Sequence, residues 1–142
     1  MTTTTETMIV TRELVPEQQR ANFVEALFGA NFPLQLEPYV FALASELSAD
    51  YRGGYWQFHA LGNGGFYMTP DDDERFTVRC ENGWGGTMSA DALGITACLY
   101  AFSRLSFVAS ESIASVYARH YHLLREYAMD HAEVDAIVAA TD

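Results

Sequence analysis

The sequence contains no lysine. Its eight basic residues are all arginine, and they face 19 acidic residues, which gives a net charge of −11. Proteins that bind DNA through its phosphates depend on clustered cations, and the arginines here form no cluster. We therefore predict that the protein has no useful affinity for duplex DNA.

Cysteine and long apolar runs are also scarce. The two cysteines, Cys80 and Cys98, form no CxxC motif, so we expect reduced core thiols in a cytoplasmic protein. The longest apolar run, Ile95 to Phe102, is too short to cross a bilayer. The first ten residues lack the basic start and apolar stretch of a signal peptide. We predict a cytoplasmic protein that does not bind membranes.

What the chain does have is enough apolar material for one core. Hydrophobic residues make up 49% of its 142 residues, which is typical of a single globular domain. Residues 1–12 are rich in threonine, and we predict a mobile segment there, followed by one domain over residues 13–142.

The middle of the sequence alternates between apolar and polar residues, as a half-buried sheet requires. Asn63-Gly64, a preferred hairpin pair, separates the first two alternating stretches. We predict a three-stranded antiparallel meander from about Tyr55 to Glu81. The residues expected on its buried face are Trp56, Phe58, Phe76 and Val78.

Helical spacing dominates both sides of this region. Two helices are predicted before it, the second beginning near Pro38, and three after it. Ser89 is a natural N-cap for an apolar central helix, and Asp130 with Glu133 forms a D-x-x-E start for the last helix. The predicted fold is therefore α+β, a single domain with a three-stranded meander and about five helices.

The candidate chemical groups do not combine into a site. Cys80 is predicted on the inward face of its strand, opposite to the face of His59, so a Cys-His nucleophile is disfavoured. His122 and Glu126 fit a surface pair on a helix better than a metal site. We predict no catalytic, cofactor-binding or metal-binding residues, and a Cys80 or His59 hydrolase is the least favoured alternative.

The acidic run from Asp71 to Glu74 raises the possibility that the protein imitates DNA. A chain of this length folds to roughly 37 Å across, and duplex DNA of that length presents roughly 22 phosphates. The protein has 19 carboxylates in total, and they are shared among all its faces with eight arginines. These numbers favour a solvated loop and make the protein a poor copy of DNA.

Several segments together resemble the ArdB/KlcA antirestriction family. The most specific is the block GGYWQFHALGNGGFYM over residues 53–68, followed by MSADALGI over residues 88–95. TRELVPEQQR over residues 11–20 and YHLLREYAMDHAEVDAI over residues 121–137 extend the resemblance over nearly the whole chain in collinear order.

This resemblance implies a protein of plasmids or other mobile elements that protects incoming DNA from type I restriction enzymes of the host, directly or indirectly. It also implies a fold unlike that of DNA-mimicking antirestriction proteins, and it supplies no catalytic residues. The alternative is an acidic mimic that occupies the DNA groove of the restriction enzyme. For partner contact we expect an exposed sheet face with Tyr55 and Tyr67, and an acidic last helix ending at Asp142.

Overall fold

A computed structural model describes residues 9–142 of the chain and contains two small antiparallel sheets and five α-helices within that range. The α+β class and the number of helices agree with the prediction. The strands are Arg12–Leu14 (β1), Trp56–Leu61 (β2), Phe66–Pro70 (β3), Arg75–Arg79 (β4) and Gly85–Ser89 (β5). The helices are Arg20–Phe28 (α1), Glu37–Leu47 (α2), Ala90–Val108 (α3), Glu111–Ala128 (α4) and Val134–Thr141 (α5).

The three-stranded sheet has the order β1-β2-β3, which differs from the predicted meander. The hairpin of β2 and β3 is present, with Gly64 in the left-handed region at φ 93°. Its third strand is β1, which pairs Arg12 with Leu61 and Leu14 with His59. Arg12 thus belongs to the sheet rather than to the segment predicted to be mobile, and residues 1–8 lie outside the described residues.

Strand β4 does not join β3 because α3 lies along that edge of the sheet. The carbonyl of Met68 accepts a weak hydrogen bond from Cys98 Sγ at 3.8 Å. A Cβ at Gly94 would collide with the same carbonyl oxygen. Helix α3 therefore blocks the position that a third meander strand would need.

Strands β4 and β5 instead form a separate two-stranded sheet. Its turn carries Asn82, whose side-chain Nδ2 donates to the carbonyls of Ala139 at 2.9 Å and Asp142 at 3.1 Å. The sheet is therefore attached to the end of α5. The four residues predicted for the buried face are indeed buried, although they are divided between the two sheets: Trp56, Phe58, Phe76 and Val78.

Helix α3 is the centre of the core, packed against α2, α4, α5 and β3. Its mean hydropathy and its length of 19 residues would suit a membrane span, but it is largely buried inside the protein, as expected for a central core helix. Ser89 caps it as predicted, accepting a hydrogen bond from the Ala92 amide at 3.1 Å.

Between α1 and α2 the chain forms a π-helical turn over Phe32–Leu36, which sequence periodicity did not predict. Two of its side chains, Phe32 and Leu36, are buried and anchor the turn to the core. Its Leu34 is 79% exposed.

Candidate functional site

The structure separates the two tyrosines that were expected to share an exposed face. Tyr55 is 52% exposed, just before β2. Its hydroxyl accepts from Arg20 at 2.7 Å and donates to Glu17 at 3.1 Å. Tyr67 is fully buried, so the prediction that it is exposed is wrong.

Tyr67 is buried because both faces of β3 are covered. One face packs Phe66 against the rings of Phe23, Phe28, Phe32 and Phe58. On the other face, Tyr67 lies between the rings of His59 and Tyr127, whose centroids are 4.7 Å and 5.5 Å away. Alternation in the sequence indicated two faces but could not show that a helix covers the second one.

The hydroxyl of Tyr67 belongs to a polar cluster that we call the Asp91 network: Arg12, Tyr67, Asp91 and His131. Asp91 Oδ1 accepts from Arg12 at 2.6 Å and from Tyr67 at 2.9 Å, and Oδ2 lies 2.7 Å from His131 Nε2. The Glu133 amide donates to His131 Nδ1 at 2.9 Å, so the proton of the neutral ring lies at Nε2 and is directed to Asp91.

Asp91 remains a carboxylate in this network. Burial alone would raise the pKa of Asp91, but hydrogen bonds from His131 and Tyr67 and the charge of Arg12 outweigh it, so the pKa lies below its usual range. Three side chains of the protein, Arg12, Tyr67 and His131, contact its two oxygens. The network therefore connects β1, β3, α3 and the segment before α5 rather than presenting a free base.

Glu133 makes a second connection beside this network. Its carboxylate accepts from both the backbone amide and the hydroxyl of Ser89, and it lies 3.5 Å from Arg75. Helix α5 begins only at Val134, without a side-chain cap, so Glu133 holds the start of α3 instead of closing the predicted D-x-x-E box. The Ser89 hydroxyl thus donates to Glu133 while its oxygen accepts from the Ala92 amide, and both contacts hold the start of α3.

The two thiols are in environments that disfavour the reactive thiolate. Burial raises the pKa of Cys98 to about 12, and it also raises the pKa of Cys80. Cys80 lines a cleft beside Trp84, whereas His59 lines a different one beside Asp91. The geometry gives the Cys-His alternative no support.

An acidic cleft of about 330 Å³ opens next to the Asp91 network. The acidic loop forms part of its wall through Asp71, Asp72 and Asp73, and His59 lies at its floor with only 4% exposure. In the part of the chain that the structure describes, no three histidine, cysteine or acidic side chains are arranged to hold a metal ion. The carboxylates are thus spread along the cleft and do not converge.

Asp142, the other predicted contact residue, is exposed directly after α5. Its backbone carbonyl accepts from Asn82, and none of the salt bridges among residues 9–142 involves its side chain. Tyr55 contacts Arg20 and Glu17, whereas Asp142 contacts Asn82, so the two predicted contact residues share no side-chain hydrogen-bond partner among the described residues.

Residues 9–142 thus form an α+β domain whose elements are joined by internal polar contacts at Asp91 and Glu133. The sequence model of the family described as "Antirestriction protein" matches residues 49–142. The chain belongs to this antirestriction family.

Relatives support the assignment over nearly full length. The antirestriction protein KlcA of Escherichia coli is 39% identical over 140 residues, covering 97% of this chain and 99% of the relative. The uncharacterized protein YafX of Escherichia coli strain K12 is 42% identical over 133 residues, covering 90% of this chain and 85% of the relative.

A solved structure shows the same fold. It superposes with a TM-score of 0.88 at 39% identity, covering 99% of this chain and 100% of the other. That work describes KlcA and ArdB as having a novel fold and antirestriction activity against type I DNA restriction systems in vivo but not in vitro. The resemblance to the ArdB/KlcA family is confirmed.

Proposed function

We propose that this protein protects incoming DNA against type I restriction enzymes in the cytoplasm of a bacterial host, without imitating DNA and without catalysing a reaction. The observation that carries the proposal is the full-length match to a structure whose proteins act against type I systems in vivo. The match covers 99% of this chain at 39% identity, which supports the transfer of the activity together with the fold.

The arrangement of charge supports the part of the proposal that concerns mimicry. Asp91 and Glu133 are engaged by Arg12, Arg75 and His131, so they are not available to represent phosphates. The carboxylates of Asp71 to Glu74 form a short exposed loop. A DNA mimic needs a regular track of free charge over many phosphate spacings.

The relatives' activity in cells but not in purified assays favours an indirect route in which another cellular component takes part. We propose Tyr55 and Asp142 as surface contacts for that component or for the restriction enzyme. Tyr67 supports the fold from the inside and is not part of this surface. A pull-down from restricting cells with tagged protein would identify the bound component.

Protection is tested by plating unmodified phage on a type I restricting host that expresses the protein. We expect a higher plating efficiency than with an empty vector, and an unchanged efficiency on a host without restriction. No protection by the wild-type protein would remove the functional assignment.

The mechanism is tested with a loop variant, Asp71→Asn, Asp72→Asn, Asp73→Asn and Glu74→Gln. A matched control carries Glu25→Gln, Glu46→Gln, Glu111→Gln and Asp135→Asn, so both variants change the net charge from −11 to −7. Without mimicry, both should retain most of the protection. Loss of protection in the folded loop variant alone would make phosphate imitation the better explanation, since clustered charge would then supply the attraction.

A further inference from the structure

The most exposed apolar side chains of the described residues lie together at one groove. Leu34, Phe107 and Val108 are 79%, 85% and 77% exposed, more than any other large apolar residue described. All three line a groove of about 680 Å³ between the π-helical turn and the end of α3, together with the buried Leu105. Apolar surface that two separate elements present to solvent at one place is typical of a binding site.

Two polar side chains of this groove offer hydrogen-bond donors that the fold leaves free. Gln35 Oε1 accepts from the Tyr117 hydroxyl at 2.6 Å, which fixes the side chain, while its Nε2 is open to solvent and donates to no described residue. The Tyr39 hydroxyl accepts from Arg104 Nη1 at 3.4 Å, and its own proton has no described acceptor. These donors complement a ligand that brings oxygen acceptors.

Arg104 is the one charged residue that lines the groove. Its hydrogen bond to Tyr39 is long, and none of the salt bridges among residues 9–142 involves it. Glu46 and Glu81 line a separate cleft together with Arg104, but neither forms a salt bridge with it. The groove therefore has a local positive charge, without a carboxylate in its lining, on a molecule whose net charge is −11.

We propose that this groove binds the carboxyl-terminal end of another protein, one that ends in bulky apolar residues. Arg104 pairs with the terminal carboxylate, and Tyr39 and Gln35 donate to carbonyls of the last residues. The apolar side chains of the bound segment cover Leu34 and Phe107 and remove them from water.

Other occupants complement the groove less well. Anionic phospholipids repel a protein of net charge −11, which disfavours a membrane surface. The same groove on a second copy of the chain has no carboxylate in its lining for Arg104. A carboxyl-terminal segment supplies both the apolar side chains and the anion, and its binding goes beyond protection against restriction.

The ligand chemistry is tested with the full-length protein and the peptide acetyl-Gly-Ser-Leu-Leu-Phe, which has a free carboxylate. The same peptide with an amidated end is the matched control. Nuclear magnetic resonance titration at physiological salt should give an affinity about tenfold higher for the acid, because the charge-assisted hydrogen bonds to Arg104 require the carboxylate. Equal affinities, or no binding of the acid, would overturn the proposal.

A pair of arginine variants tests whether Arg104 reads the carboxylate. Arg104→Gln should bind the acid and the amide about equally, since the charge is lost. Arg52→Gln makes the same change in net charge at an exposed residue before β2 and should retain the preference. A preference for the acid that persists in folded Arg104→Gln would place the carboxylate elsewhere and overturn the assignment.

A second pair of variants tests the apolar part of the groove. Phe107→Ser should weaken binding of the acid by about tenfold, because the peptide then covers less apolar surface. Met129→Ser, at an exposed apolar residue after α4, should change the affinity by less than about twofold. Equal effects of the two variants would overturn the proposal.

The other occupants are tested with the wild-type protein alone. Sedimentation velocity would detect a dimer, and co-sedimentation with phosphatidylglycerol vesicles would detect membrane binding. We expect a monomer that stays in the supernatant. A dimer or vesicle complex that Phe107→Ser abolishes would assign the groove to that occupant and overturn the proposal. Because these assays contain no restriction enzyme, their failure is distinguishable from failure of the protection assay.

Discussion

At the residue scale, two buried histidines make the stability of the protein sensitive to acid. His59 and His120 are 4% and 3% exposed, and each has an Nδ1 without a partner in the described residues. Burial lowers the pKa of both to about 4; the charge of Arg12 lowers it further for His59 and that of Arg119 for His120. The folded protein therefore holds these rings neutral where the unfolded chain would protonate them.

Acid destabilises the protein because the histidines of the unfolded chain take up protons at a higher pH than those of the folded protein. The unfolded histidines titrate near pH 6.5 and the folded ones near pH 4, so the free energy of unfolding falls progressively as pH drops from 6.5 to 4. Each histidine contributes at most about 3 kcal/mol to this loss. Urea unfolding at a series of pH values measures it.

Single variants identify which histidine causes the loss of stability at low pH. His120→Phe should reduce the pH dependence of the free energy of unfolding, because a phenylalanine ring does not titrate. The ring lies near Phe28 and Phe102, which tolerate an aromatic neighbour. His122→Gln, at an exposed position on the same helix, should leave it unchanged. An identical pH profile for wild type and His120→Phe would show that other groups cause the acid sensitivity.

Trp56 gives a second prediction at this scale. Its ring is 3% exposed, contacts Phe41 and Tyr51, and donates from Nε1 to the Tyr51 hydroxyl at 2.8 Å. Trp56→Ala should lower the free energy of unfolding by about 3–5 kcal/mol, because it leaves a large cavity. Chemical denaturation would measure this, and a loss below about 1 kcal/mol would contradict the core role of the ring.

At the scale of elements, the contact between α3 and β3 determines the sheet. Gly94 has no room for a side chain, because a Cβ would collide with the Met68 carbonyl and crowd Thr69. Gly94→Ala should destabilise the protein by about 1–3 kcal/mol through overpacking, despite the better helix propensity of alanine, which favours it by about 1 kcal/mol.

Gly85→Ala is the matched control for this prediction. At Gly85 the nearest atom to an added Cβ is the Val78 carbonyl oxygen at 3.7 Å, an ordinary contact distance. Thermal unfolding of both variants should show a clear decrease in Tm for Gly94→Ala only. Comparable Tm values for the two would mean that α3 shifts freely along β3.

Sequence patterns predicted the elements of this fold better than their pairing. Alternation located β2, β3 and β4, and the cap at Ser89 gave the start of α3 within one residue. These local patterns could not show that α3 displaces β4 from β3, because the deciding contact joins Gly94 to the backbone carbonyl of Met68. Local patterns do not encode such long-range contacts.

The candidate site was predictable only in part, for the same reason. The acidic loop was visible as four consecutive residues, but its position above His59 depends on the pairing of β2 with β3. The Asp91 network joins residues 12, 67, 91 and 131. These residues are far apart in the sequence, and no local pattern links them, so only the tertiary structure shows that they contact one another.

At the scale of the whole molecule, the charge predicts how the protein behaves toward DNA. A net charge of −11 repels phosphates, and no stripe of arginines offsets it. We expect no complex with a duplex oligonucleotide in a mobility-shift assay at physiological salt. Binding at micromolar protein concentration would contradict this prediction and place the protein's action on DNA itself.

The hydrogen bonds from Asn82 to α5 couple local unfolding of this helix to the β4–β5 turn. The side chain from the β4–β5 turn donates to the carbonyls of Ala139 and Asp142 at the end of α5, where a helix leaves its last carbonyls without partners of its own. Fraying of α5 therefore requires the turn to release it, and the two elements form one cooperative unit for local unfolding. In amide hydrogen exchange, Asn82→Ala should speed exchange at the end of α5 while the amides of α3 remain protected.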